Sequence, residues 1–207
     1  MVEIKRTIFN AWLIRALDTR IEKMTVYNTS ADAANTAVRA FLTKVGEFYL
    51  GRSFNTSSGK GKVDWERIRD VVFESKCAYC DESGKTLQIE HLIMFNRTEY
   101  GLHHPGNIVP CCKACNKRER KEDKSYTNWI EHLELICIRR DEVSQFVIRK
   151  QRIESSMSNE GYPILDEKEQ HAIRVIANSL YDNIKSESGK SLELYKELDK
   201  AFVRRSN

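Results

Sequence analysis

The chain has 207 residues, 41% of them hydrophobic and 31% charged, with a formal charge of +4 at neutral pH. That length allows one domain or two at about 150 residues each, with enough apolar material to fold unaided. No apolar run approaches the ~18–20 residues of a membrane-spanning helix, and the amphipathic start does not read as a signal peptide, so a cytoplasmic protein with no membrane partner is expected. The charge is uneven: residues 1–76 carry 13 basic against 9 acidic side chains, residues 77–125 carry 8 against 7, and residues 126–207 carry 13 against 14. A polyanion would dock on the N-terminal third, unless the excess is only a solvated surface.

In chain order the pattern is mostly helical. Phe9, Trp12, Leu13, Ala16 and Leu17 form one stripe of a helix over residues 7–24. Ser30 caps a second helix with Val38, Phe41, Leu42, Val45, Phe48 and Tyr49 on its apolar face and Gly51 as its stop. Residues 52–62 are polar and Gly/Ser-rich and read as a mobile loop; Asp64 then caps a helix running to Phe73. Short strands are expected at residues 86–90 and 108–109, followed by a basic helix over residues 113–123. Beyond Ser125, helical stripes recur at Trp129, Leu133 and Ile136, then Val143, Phe146, Val147, Lys150 and Ile153. Gly161-Tyr162-Pro163 breaks the pattern before two more faces, Ile173, Ile176, Ala177, Leu180 and Ile184, then Leu194, Tyr195, Leu198 and Phe202. All these stripes read as core.

Six cysteines in a chain without a secretory start argue against disulfides. Cys77-x2-Cys80 and Cys112-x2-Cys115 are two knuckles with the spacing of a tetrahedral zinc site. Four thiolates leave no open position, so this zinc would be structural, one per chain, tying the start of the hairpin to the start of the expected basic helix. A register using Cys111 in place of Cys112 gives C-x3-C and is the alternative; Cys137, on an apolar helical stripe, reads as core.

Between the knuckles stand Glu90-His91 at the end of the first strand and Asn107 in Gly106-Asn107-Ile108-Val109-Pro110, while Asn116 directly follows the last cysteine. With C-x-x-C, acid-His, Asn-Ile-Val-Pro and C-x-x-C-Asn-Lys in this order, residues 77–124 resemble the HNH endonucleases, the zinc-bound branch of the ββα-metal nucleases. The sequence departs from the family in Glu90 where Asp is commoner, in Asn116 where the third position is often His (an H-N-N variant), and in lacking a proline after the histidine. The resemblance implies an α+β, mostly α chain: residues 1–76 a helical region for DNA binding or dimerisation, residues 77–124 the small ββα-metal core with its four-cysteine zinc, and residues 125–207 a second helical region. It also implies roles. His91 is the general base, Asn107 orients the loop and the base, and Glu90 and Asn116 hold a catalytic Mg²⁺ or Mn²⁺.

The chemistry agrees with those roles: an imidazole is a natural base at neutral pH, and a hard cation takes oxygen ligands. Lys113, Lys117, Arg118 and Lys121 on the expected basic helix, with Arg97 in the loop, are candidate phosphate contacts. Glu119, Glu122 and Asp123 are interspersed among them, so a salt-paired solvated face is the competing reading. His103 and His104 lie in the loop within reach of substrate or metal but read first as ordinary polar loop residues, and His132 and His171 carry no role. The expected function is metal-dependent DNA cleavage, leaving 5′-phosphate and 3′-hydroxyl ends, by a homodimeric restriction or host-defence nuclease. The alternatives are a homing, phage or toxin-type HNH nuclease, a zinc-stapled nucleic-acid-binding module without catalysis, and an interaction scaffold.

Overall fold

The computed structural model describes residues 29–203; the helix expected over residues 7–24 lies outside them. The chain divides into two compact units, residues 38–180 and residues 1–37 with 181–207. The described residues are mostly helical, with a two-stranded antiparallel sheet.

Helix α1, Ser30–Leu50, buries Val38 and Leu42 and leaves Phe48 mostly exposed. Its cap is Thr29, one residue earlier than expected: Thr29 Oγ1 accepts the Asp32 amide at 3.1 Å. Helix α2, Gly59–Arg67, starts inside the segment expected to be loop and passes into a π-turn at Ile68–Val72. Burial explains the early start. Trp65, Ile68 and Phe73 are sequestered together, and extending the helix backward to Ser58 lets Gly61 rest on the Asn55 backbone. Asp64 is not a cap; it pairs with Arg52.

Strands β1, Leu87–His91, and β2, Ile108–Cys112, pair antiparallel in the register Leu87↔Cys112 through His91↔Ile108. β2 runs three residues past the expected Ile108-Val109, because every residue of it is buried and Cys112 at its end joins a cluster of four cysteines.

The basic helix expected over residues 113–123 does not form. Residues 113–115 make a turn closed by the Cys115 and Asn116 amides on Cys112 O, and the chain then runs extended to a bridge between Arg120 and Tyr126. Helix propensity is adequate there, but residues 116–124 are almost wholly charged and offer no apolar stripe to bury, which is where most helical stability comes from. The helix after the hairpin is instead α3, Trp129–Arg139, opened by a capping box between Asn128 and Glu131. It buries His132, Leu133, Ile136 and Cys137.

A short 3₁₀ turn leads into α4, Phe146–Asn159, anchored by Ile153 and Arg149, while Val143 and Val147 are mainly exposed. The break at Gly161 falls where expected. Helix α5, Glu167–Leu198, buries Ile173 and Ala177. Leu194, Tyr195, Leu198 and Phe202, expected as core, are about half exposed or more. In residues 38–180 one buried cluster joins Phe54, Trp65 and Phe73 from before the hairpin, Tyr79, Leu92 and Ile108 around it, and Leu133 and Ile153 from after it. No described helix is long and apolar enough to cross a membrane.

Candidate metal centre and histidine cavity

The left-handed residues Glu74 and Ser75 turn the chain from the π-turn into the first knuckle. The second knuckle is set by the end of β2. Together they bring the Sγ atoms of Cys77, Cys80, Cys112 and Cys115 within 4.8 Å of one another, all buried. The Cys112 amide donates to Cys77 Sγ at 3.4 Å, and the Ala78 amide donates to Pro110 O at 2.8 Å, so knuckle and strand are locked together. The surrounding thiols, Cys111 first, hold the Cys77 thiol far below its usual pKa, while Cys77 pushes Cys115 far above. Thiolates this close repel, and a soft dication at their centre removes the conflict; donor number, type and spacing all fit zinc. The four-thiol group leaves out Cys111, which neighbours Cys77 but points its Sγ to Cys112 O at 3.4 Å, an arrangement that favours the C-x2-C register. His132, given no role from sequence, lies 2.7 Å from Cys115 O through Nε2 and braces the second knuckle. Cys137 is buried core.

The other end of the hairpin is held by Asn107. Its Oδ1 accepts the Ile93 amide at 2.8 Å, and its Nδ2 donates to Ile93 O at 2.9 Å and Leu102 O at 2.8 Å. Its own carbonyl accepts the Leu92 amide at 2.9 Å. One buried amide thus closes the loop over residues 92–106 onto the strand ends. The loop also closes on itself at Gly101, where an added Cβ would sit 2.0 Å from Ile93 O. His104 Nδ1 accepts the Gly106 amide at 3.0 Å, capping the 3₁₀ turn Pro105–Asn107 that presents Asn107.

Glu90 and His91, at the end of β1, line one cavity of about 320 Å³ with Arg39, Met94, Phe95 and Asn96. The His91 ring stacks on Phe95 at 4.8 Å, and its Nε2 lies 3.0 Å from His103 Nδ1. Burial, helped by the nearby His103, Arg118 and Arg39, pushes the His91 imidazole down to about 3, so the ring is neutral at neutral pH and a weaker base than a free imidazole. Burial raises the Glu90 carboxyl against the pull of Arg118.

Arg118 is not placed to contact phosphate. Its guanidinium is buried, donating to Glu90 Oε1 at 2.9 Å, His91 O at 2.6 Å and Leu92 O at 2.8 Å. The failure of the basic helix explains this, since the extended chain carries Arg118 back along β1. Asn116 donates to Gln88 Oε1 at 3.1 Å and is not among the residues lining the His91 cavity. Glu90 is a fitting hard-oxygen donor, but the second oxygen expected from Asn116 is not brought beside it, and Arg118 already neutralises its charge. Lys113, Lys117 and Arg97 are exposed; Lys121 is exposed and pairs with Glu131 at 2.7 Å.

The motif pointed to Glu90, His91, Asn107 and the cysteines, but it carried no signal for Arg39, His103 or the inward course of Arg118. Their positions depend on chain paths that no local spacing encodes. Comparison with protein-family models, with curated proteins and with solved structures finds no match to this chain.

Proposed function

We propose that the chain is a metal-dependent DNA endonuclease of the HNH type, acting in restriction or host defence. The observation that supports this reading best is the histidine cavity. A hairpin fixed by a thiol cluster at one end and by Asn107 at the other presents a neutral imidazole and a carboxylate to one concave surface, with Arg39 at its wall. His91 takes a proton from a water, the resulting hydroxide attacks phosphorus, and the 3′ oxygen leaves with the electron pair of the broken P–O bond. Arg39 places a positive charge beside the phosphate. Asn107 keeps the loop over residues 92–106 from shifting His91 off line. A bound Mg²⁺ or Mn²⁺ would supply charge neutralisation at the phosphate; of the two oxygen donors the resemblance implies, Glu90 lines the cavity and Asn116 does not. A homodimer would supply the second site for a double-strand cut.

The test is cleavage of plasmid and phage DNA with Mg²⁺ or Mn²⁺, against EDTA and His91→Ala. Discrete fragments lost in both controls are expected. A smear lost in both would remove the sequence-specific, restriction-type reading and leave a nonspecific nuclease.

The Glu90–Arg118 pair and the placement of Asn116 favour a second reading, a zinc-stapled nucleic-acid-binding module without catalysis. It predicts no cleavage by the wild type, with salt-sensitive DNA binding that His91→Ala leaves intact.

A further inference from the structure

His103 falls in a stretch that reads as plain loop, yet it is among the most constrained residues around the cavity. Its backbone is seated on α1, where its carbonyl lies so near Gly46 that an added Cβ would come within 2.4 Å of the oxygen. Its ring packs against Phe54 at 4.9 Å and Phe95 at 5.5 Å, and Phe95 also stacks on His91. Two imidazoles are therefore clamped by the same aromatic ring, with His91 Nε2 and His103 Nδ1 3.0 Å apart. His91 lines the cavity and His103 does not.

We propose that His103 is a positioning residue for His91: its Nδ1 accepts the His91 Nε2–H, which leaves Nδ1 of His91 as the basic nitrogen available to the cavity. The catalytic consequence rests on the nuclease reading; the pairing itself does not. A bond between two ring nitrogens holds one proton, so one ring must be the donor. Burial holds the His103 pKa below the ordinary histidine value, against the weaker opposing pull of Glu47 on α1, so its ring is neutral and carries a single N–H. A neutral His103 protonated at Nε2 keeps its Nδ1 lone pair for His91. His91 Nε2 then carries the hydrogen, and its Nδ1 is left to take a proton from water. The pair thus selects one tautomer of the base before substrate arrives, as preorganisation of a general base requires.

The experiment uses the full, zinc-loaded chain labelled with ¹⁵N-histidine, with long-range ¹H–¹⁵N correlation reading the His91 tautomer at fixed neutral pH. Two variants are compared. His103→Phe keeps a ring between Phe54 and Phe95 but removes the acceptor, and His103→Asn keeps an oxygen near the place of Nδ1. In the wild type, His91 is expected as the Nε2–H tautomer. His103→Phe should give a tautomer mixture and at least an about tenfold fall in kcat, part of the ~10²–10⁴ that a positioned base supplies, with KM and zinc content unchanged. His103→Asn should restore both. A wild-type His91 protonated at Nδ1 overturns the proposal. So does His103→Phe with wild-type tautomer and turnover, or equal impairment of the two variants. If His103→Phe loses its zinc and fold, the wild-type tautomer and the His103→Asn spectrum decide. If the wild type cleaves no DNA the nuclease reading fails, and the tautomer measurement still decides the pairing.

Discussion

Asn107 makes three side-chain hydrogen bonds to two residues, and all are satisfied inside the protein. Replacing it by alanine orphans the Ile93 amide and two carbonyls, at about 1–3 kcal/mol for each group left buried. Asn107→Ala is therefore expected to lower stability by at least roughly 3 kcal/mol, seen as a drop in the urea midpoint at unchanged slope. His104 supports the same turn as an acceptor, so it must stay neutral. Burial, with Arg52 and His103 adding to it, pushes its pKa down to about 4. A depressed value means its stabilising contribution is whole above the ordinary histidine pKa and is lost as pH falls toward 4. Up to roughly 3 kcal/mol should disappear between about pH 6.5 and 4, and His104→Asn, which keeps an acceptor but cannot titrate, should flatten that part of the stability–pH curve. An equally steep curve in the variant would assign the acid lability to other groups.

At the scale of elements, the short hairpin depends on the groups attached to its ends, since two strands alone are marginal in water. The thiol cluster joins the start of the region to its end, and a metal ion held there would make its binding part of folding. Cys112→Ser is expected to lose most of the bound zinc and the near-ultraviolet signal of buried Tyr79, whereas Cys111→Ser keeps one zinc per chain by atomic absorption. Equal loss in both would return the C-x3-C register to consideration. The extended segment after Cys115 gives a second contrast. Lys117 is exposed, while Arg118, its neighbour, is buried against Glu90 and two strand-end carbonyls. Lys117→Gln should leave stability unchanged and reduce the salt slope of DNA binding by about 1. Arg118→Met should cost about 3–5 kcal/mol of stability, because it leaves the Glu90 carboxylate buried without its partner. The reverse pattern would place Arg118, not Lys117, on the phosphate backbone.

At the scale of the molecule, the hairpin region does not stand apart from its flanks. The aromatic anchors Phe54 and Phe73, the knuckle residue Tyr79 and the later helix residues Leu133 and Ile153 share one buried cluster. Local spacing could show that each stripe was apolar but not which stripe meets which. Helices α1 and α3 were legible because their apolar residues recur at helical intervals; α4 was legible as a helix, but of its expected stripe only Ile153 is fully buried. The basic helix was misread because charged residues with good helix propensity have no face to bury there. The C-terminal stripe of Leu194, Tyr195 and Leu198 was misread in the opposite sense, since a helical period in sequence carries no information about what covers it.

The residues alone determined the chemistry the chain can hold. Four thiols at knuckle spacing, an acid–histidine pair at a strand end and an asparagine opening the next strand all depend on residue type and short separations, which survive in any fold that keeps the hairpin. Tertiary structure decided how those groups are used. It turned Arg118 inward onto Glu90, kept Asn116 off the cavity, brought Arg39 to its wall and set His103 against His91. The physical reason is that hydrogen bonds, ion pairs and burial form between whichever groups chain packing brings together, across separations such as the 52 positions from Arg39 to His91 that no local period can encode.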